Sequence, residues 1–221
     1  MNRIIVFALM FFCMTMQIEA QTLSEEEVTA KMYQAFELNK AAKKAEALEL
    51  FLIVGENTKQ QRNEGERQVY VCSQTMACQC YELLGRYKEG YLLGKSLLQG
   101  KLNDTERKDV GHLYAMNGYM YACEFIQRDE KGRADYKRGR ELISEILPYS
   151  DGQVKEYAET KIPLSWYFEG AQYAMTQSYD EALSSYEEAL NGFRDLGRVS
   201  EEVDVLSGIA SVKAHLCKFD E

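Results

Sequence analysis

The chain has 221 residues, 46% of them hydrophobic, with 15 glycines and only 2 prolines. That composition favours long uninterrupted helices over a turn-rich sandwich and excludes a disordered chain. Asp+Glu 35 against Lys+Arg 26 leaves a net charge of −9, a surface that repels phosphate backbones, so no nucleic acid is expected as partner.

Residues 1–20 read as a secretory signal peptide. Arg3 supplies the positive start, an apolar run extends from Ile4 to Met16, and Ile18-Glu19-Ala20 offers a small residue for cleavage before Gln21. As a helix the run covers about 20 Å, short of the roughly 30 Å hydrocarbon core. Phe11-Phe12 stand where a lipidating peptidase before Cys13 needs small residues. The mature chain, 21–221, therefore has no membrane span and is expected to be exported, periplasmic or extracytoplasmic. Processing leaves Cys72, Cys78, Cys80, Cys123 and Cys217, an odd number without the spacing of a disulfide scaffold. On a helix, Cys78 and Cys80 diverge by about 200°. They read as buried apolar thiols, so no metal and no cofactor is implied.

In chain order, paired helices follow. "KAEALELFLIV" starts a helix at Lys44 with Ala47, Phe51 and Val54 on one face. Tyr81 precedes "YKEGYLLGKSLL", which places Tyr87, Gly90, Gly94 and Leu97 in the same register. Tyr114, Gly118 and Tyr121 precede a helix starting at Tyr136, with Gly139, Ile143 and Ile146 on its face. The stretch from Gly152 to Met175 reads as one helix carrying Trp166, Gly170 and Tyr173, with a kink or break expected at Pro163. After a turn at Thr176-Gln177 comes a helix with Tyr179, Ala182, Tyr186 and Ala189, for which Ser178 and Glu181 form an expected capping box. Leu206, Ile209, Ala210 and Leu216 mark a further helix, after which Phe219 opens the next element. The five second-helix starts, Lys44, Tyr87, Tyr136, Tyr179 and Phe219, are separated by 43, 49, 43 and 40 residues.

Trp166, Gly170, Tyr173, Tyr179, Ala182, Tyr186 and Ala189 together resemble the tetratricopeptide repeat, although Glu169 stands for the usual leucine and Gln177 for the turn glycine. The spacing exceeds the compact repeat of about 34 residues, and polar segments hold the excess. The resemblance covers nearly all of the mature chain. It implies an all-α right-handed solenoid of antiparallel helix pairs in which Trp166, Tyr173, Tyr179 and Tyr186 serve packing. It also implies that first helices line a concave face for a protein or peptide partner. Carried over, the lining positions are Thr75, Gln79, Glu82, Ala115, Tyr119, Tyr167, Ala171, Ser207 and Ser211. The lysine-and-asparagine clamp by which some members hold a C-terminal carboxylate is absent, which argues against a chaperone-tail adaptor.

No phosphate-binding glycine loop, nucleophile elbow or H-E-x-x-H stretch occurs, so the expected role is binding rather than catalysis. The first reading is an exported bacterial interaction scaffold. The second is the extracytoplasmic sensor segment of a larger receptor, a sensor kinase or repeat-containing transcriptional regulator, with further repeats or an output domain after Glu221. In either case the apolar surface of Leu206, Ile209, Ala210 and Leu216 is expected to face solvent in part.

Overall fold

The computed structural model describes residues 23–127 and 134–216. The expected leader over 1–20, Cys217 and the expected helix start at Phe219 lie outside the described residues. Among the described residues the fold is all α: nine α-helices, one 3-10 turn and no strand. They are α1 (Glu25–Lys40), α2 (Lys44–Thr58), α3 (Glu64–Leu83), α4 (Tyr87–Leu98) and α5 (Asp104–Ile126). The series continues with α6 (Tyr136–Ile146), the 3-10 turn Leu147–Tyr149, α7 (Gly152–Met175), α8 (Tyr179–Asp195) and α9 (Val199–His215). Four of the five anticipated second-helix starts, Lys44, Tyr87, Tyr136 and Tyr179, are the first residues of α2, α4, α6 and α8. The residues divide into two compact units between Ser73 and Gln74.

Two different devices start the helices. Where a linker precedes α1, α3, α5 and α6, a side chain caps. Ser24 and Glu27 exchange reciprocal bonds at α1, as do Asn103 and Glu106 at α5. Asn63 accepts from the Glu66 amide at α3, and Asp135 accepts from the Arg138 amide at α6. Where a three-residue turn precedes, the preceding helix's terminus does the capping. Ala42, Gly85, Gln177 and Gly197 all adopt positive φ, between 60° and 70°. The next amide in each case, that of Lys43, Arg86, Ser178 and Arg198, donates 2.9 Å back to the carbonyl of Leu38, Tyr81, Tyr173 and Phe193. This six-to-one closure satisfies an orphan carbonyl and re-aims the chain two residues later into the next helix. Ser178 consequently makes no side-chain cap. The capping box anticipated with Glu181 does not form, because the turn itself has already oriented the backbone.

Helix α7 also departs from expectation: it runs unbroken from Gly152 to Met175 through Pro163. Pro163 is buried and faces Gly192 of α8, where an added Cβ would lie 2.8 Å from the proline Cβ. Packing across the proline holds the helix together despite its missing amide.

Within the second unit each helix from α4 to α9 packs on its chain neighbour, and α5 also touches α7, as α7 touches α9. One core joins Tyr91 of α4, Tyr114, Ala122 and Ile126 of α5, Leu142, Ile143 and Ile146 of α6, and Val154 and Ala158 of α7. Another joins Ala182, Tyr186, Ala189 and Phe193 of α8 to Val205 and Val212 of α9. Small residues set the crossings: a Cβ on Gly170 would press into Tyr186 at 2.8 Å, and one on Gly118 into Ile146 at 2.5 Å. In the first unit the Phe36 ring of α1 meets Phe51 of α2 edge-on at 5.4 Å.

Candidate functional site

Packing consumes most of the repeat aromatics. Tyr81 and Tyr136 are buried, as are Ala182, Tyr186 and Ala189. Tyr87 is half-buried at the first position of α4, and Tyr121 lies against Tyr91 and Phe125. Tyr179 stacks on His215 of α9 at 5.6 Å and 8°. Tyr173 departs from the packing role expected of it. It is exposed in the last turn of α7 and contributes its carbonyl to the turn closure rather than its ring to the core.

Trp166 is half-buried, with the Arg140 guanidinium 3.4 Å over its ring. The same guanidinium pairs with Glu169 at 2.8 Å and donates to Ser165 Oγ at 3.3 Å. Glu169, the residue found where leucine was expected, thus ties α7 to α6 through a largely buried ion pair. Breaking such a pair from one side strands a charge. Beside it, Lys137, Arg140, Glu141, Ser144, Ile162 and Trp166 line a shallow groove of about 620 Å³.

A carboxylate organises the core at α4, α5 and α6. Glu145 Oε1 accepts from Tyr114 at 2.5 Å and Tyr91 at 3.0 Å, and pairs with Lys95 Nζ at 2.7 Å. The Tyr91 and Tyr114 rings stack at 5.3 Å. Burial pushes the Glu145 carboxyl up, but Lys95 and the two hydroxyls outweigh it and hold the carboxyl below its ordinary value. Burial and the bond to Glu145 push the Tyr114 hydroxyl well above the usual phenol range. These shifts follow from a satisfied packing network.

Asn117 is another polar group inside this unit. Wholly buried, it donates to the Leu113 and Cys78 carbonyls at 2.9 and 3.3 Å. Gly90 leaves the space its side-chain oxygen occupies, and a Cβ there would overlap it. Cys78 and Cys80 are buried, and burial lifts the Cys78 thiol to about 12. Among the described residues no cluster of His, Cys, Asp and Glu is placed to hold a metal, and no helix is long and apolar enough to cross a membrane.

The anticipated lining positions do not share one environment. Ala115 is fully buried in the core and offers no surface. Its face of α5 is turned toward the Tyr91–Ile143 core, which corrects its assignment as a lining residue. Thr75 is half-buried and Gln79 exposed on α3. Glu82, half-buried, has its carboxyl raised by burial, an effect that nearby His112 opposes; His112 in turn pairs with Asp151 at 3.1 Å. Tyr119 stacks on Tyr157 of α7 at 6.3 Å. Tyr167 lies against Phe168 and Tyr186, and Ala171 packs on the α8–α9 core. Ser207 and Ser211 are exposed on α9.

Sequence reasoning overlooked one surface and anticipated another in part. In the first unit a polar cavity of about 240 Å³ adjoins an apolar one of about 300 Å³, the two sharing Val28, Thr29 and Val69. Met32, Tyr33 and Phe36 line the apolar end, and Asn57, Arg62 and Asn63 the polar end. The second surface is on α9, where Val199, Val203, Leu206 and Ala210 recur at steps of four, three and four and are all exposed. Ile209 and Leu216 are half-buried against the α8–α9 core, so all four anticipated apolar residues face solvent in part and Leu206 and Ala210 are the more exposed. No protein-family model matches the sequence, and no curated protein matches it.

Proposed function

We propose that the chain is an exported, tetratricopeptide-like helical repeat scaffold that binds a protein or peptide and performs no catalysis. Its solenoid form follows from the repeated register of paired helices. One observation carries the reading: large exposed apolar side chains gather on the odd-numbered helices. Tyr33, Leu83, Tyr157, Phe168 and Met175 lie on α1, α3 and α7, and Val199, Val203 and Leu206 on α9; the even-numbered helices expose Ile53 and Leu92. Within the second unit, apolar surface left on α7 and α9, whose other faces pack into the cores, is the arrangement of a binding face. The net charge of −9 disfavours nucleic acid as the occupant.

The test places a photo-crosslinking residue at Phe168 of α7 and, in a separate protein, at Leu92 of α4. On irradiation in living cells, position 168 is expected to yield a discrete adduct with a cell-envelope protein and position 92 none. Equal labelling from both positions, or none from either, overturns the scaffold reading.

A further inference from the structure

The groove between α6 and α7 carries chemistry that packing does not use. Ile162 and Trp166 of α7 form its floor, and one face of α6 its wall, with Lys137, Arg140, Glu141 and Ser144. The indole is held in place before anything binds. The Arg140 guanidinium lies 3.4 Å over it and is itself fixed by Glu169 and Ser165. The Arg140 and Glu169 side chains are 11% and 18% exposed, so this pair cancels its own charge and serves to position the ring. Glu141, the acid on the wall, is taken by Arg138 at 3.2 Å. Two polar groups are left over. Lys137 and Ser144 are exposed, and among the described residues Lys137 has no ion pair and Ser144 no hydrogen bond. The next helix, α8, is already in place against α7 at Pro163 and Gly170 and leaves the groove open.

From these groups we infer that the groove binds a short acidic segment of a partner protein, laid in extended form along α6. Charge chooses the occupant. On a chain of net charge −9 the groove keeps one uncompensated cation, which attracts a carboxylate and repels a basic segment. The carboxylate pairs with Lys137, and an aliphatic side chain lies on Trp166 and Ile162. Lys137 and Ser144 stand two turns apart on α6, about 10.5 Å along the helix, which about three extended residues span. Alternate side chains of such a segment point one way, so its acid and its apolar residue are two apart. The Ser144 hydroxyl is left to bond a backbone amide or carbonyl of the segment. Trp166 and Phe168, two apart on α7, point about 200° from each other. The groove is therefore a second contact surface and goes beyond the face tested at Phe168.

Trp166 is the chain's single tryptophan, so its fluorescence reports on this groove alone. The probe is the peptide acetyl-Gly-Glu-Ser-Leu-Ser-Gly-amide, titrated into the intact protein at low salt. A saturable change in emission is expected, with a Kd of about 1 mM or tighter. Glutamine in place of the peptide's glutamate should weaken binding by roughly threefold or more, and Lys137→Glu in the protein by roughly fivefold or more. Lys108→Glu, the same charge change on α5, should leave binding unchanged, and circular dichroism verifies that each variant is folded. No saturable response from the folded protein overturns the inference, as does equal binding of the glutamine peptide. Equal losses from Lys137→Glu and Lys108→Glu also overturn it, because net charge then explains the binding. A response to phosphatidylglycerol vesicles that the peptide does not reproduce makes a membrane the occupant. If acrylamide fails to quench Trp166, the chain itself covers the groove, and the inference falls. Loss of the peptide response with the Phe168 adduct intact refutes this groove alone; loss of the adduct with the response intact refutes the scaffold reading and leaves the groove.

Discussion

Glu145 shows how a single side chain can connect three helices. Its one oxygen receives two tyrosine hydroxyls and faces a lysine, so α4 and α5 are joined through α6 by charge-assisted bonds. Because folding depresses its carboxyl below the ordinary value of 4.5, the contribution is complete above that value. It is lost as pH falls through the folded one. The side chain is 37% exposed, so solvent screening reduces the effect. Glu145→Gln should cost about 1 kcal/mol at neutral pH, a fall in Tm of roughly 2–4 °C. Thermal melts from pH 7 to pH 3 should show the gap to the wild type closing as the native carboxyl gains its proton. A gap independent of pH would assign the loss to packing instead. None of this cluster was legible in the sequence, where Tyr91, Tyr114 and Glu145 lie 23 and 31 residues apart and carry no pattern linking them. Ala115 and Tyr173 misled for a related reason. Their register gave the face of the helix but not how far the neighbouring helix reaches over it.

At the scale of the element, the starts of α2, α4, α6 and α8 were legible because aromatic and small residues recur at steps of three and four. Their cause was not, since it lies in the preceding turns. The same closure uses glycine at Gly85 and Gly197 but alanine at Ala42 and glutamine at Gln177, all with positive φ. A side chain there costs roughly 1–2 kcal/mol in steric strain, offset in part by the freedom glycine has when unfolded. Gln177→Gly should therefore stabilise the protein by about 1 kcal/mol, measured by urea denaturation at unchanged m-value. A destabilised variant would show that the Gln177 side chain makes up the strain through contacts of its own. The uninterrupted course of α7 has a similar lesson. Pro163 reads as a break locally, and only the opposed Gly192, 29 residues later, explains why the helix persists.

For the molecule as a whole, stability divides along the cores. Phe51, completely buried beside Phe36, belongs to the first unit; Phe193, buried among Ala189, Val205 and Val212, belongs to the second. In a chain whose helices pack mainly on their neighbours, damage stays local. Phe51→Ala should cost about 3–5 kcal/mol and accelerate amide exchange in α1 and α2. Exchange in α8 and α9 should be unaltered by mass spectrometry. Uniform acceleration along the chain would show one cooperative body. The all-helical class was legible from scarce proline and periodic aromatics. The cleft beside Met32 and Phe36 was not, because a cavity is set by what neighbouring side chains leave unfilled.

The three-residue turns have a consequence for resistance to proteolysis. A protease must draw its substrate into an extended strand through its cleft, and a turn closed by a six-to-one bond yields no such strand without unwinding the helices on both sides. The junctions at Ala42, Gly85, Gln177 and Gly197 therefore deny cleavage at four of the places where helical proteins are ordinarily nicked. Among the described residues, the longer linkers 59–63 and 99–103 are exposed, each rich in the basic and polar residues that trypsin-like enzymes accept. Cut there, the chain would part between α2 and α3 or between α4 and α5 and leave the helices joined by three-residue turns connected.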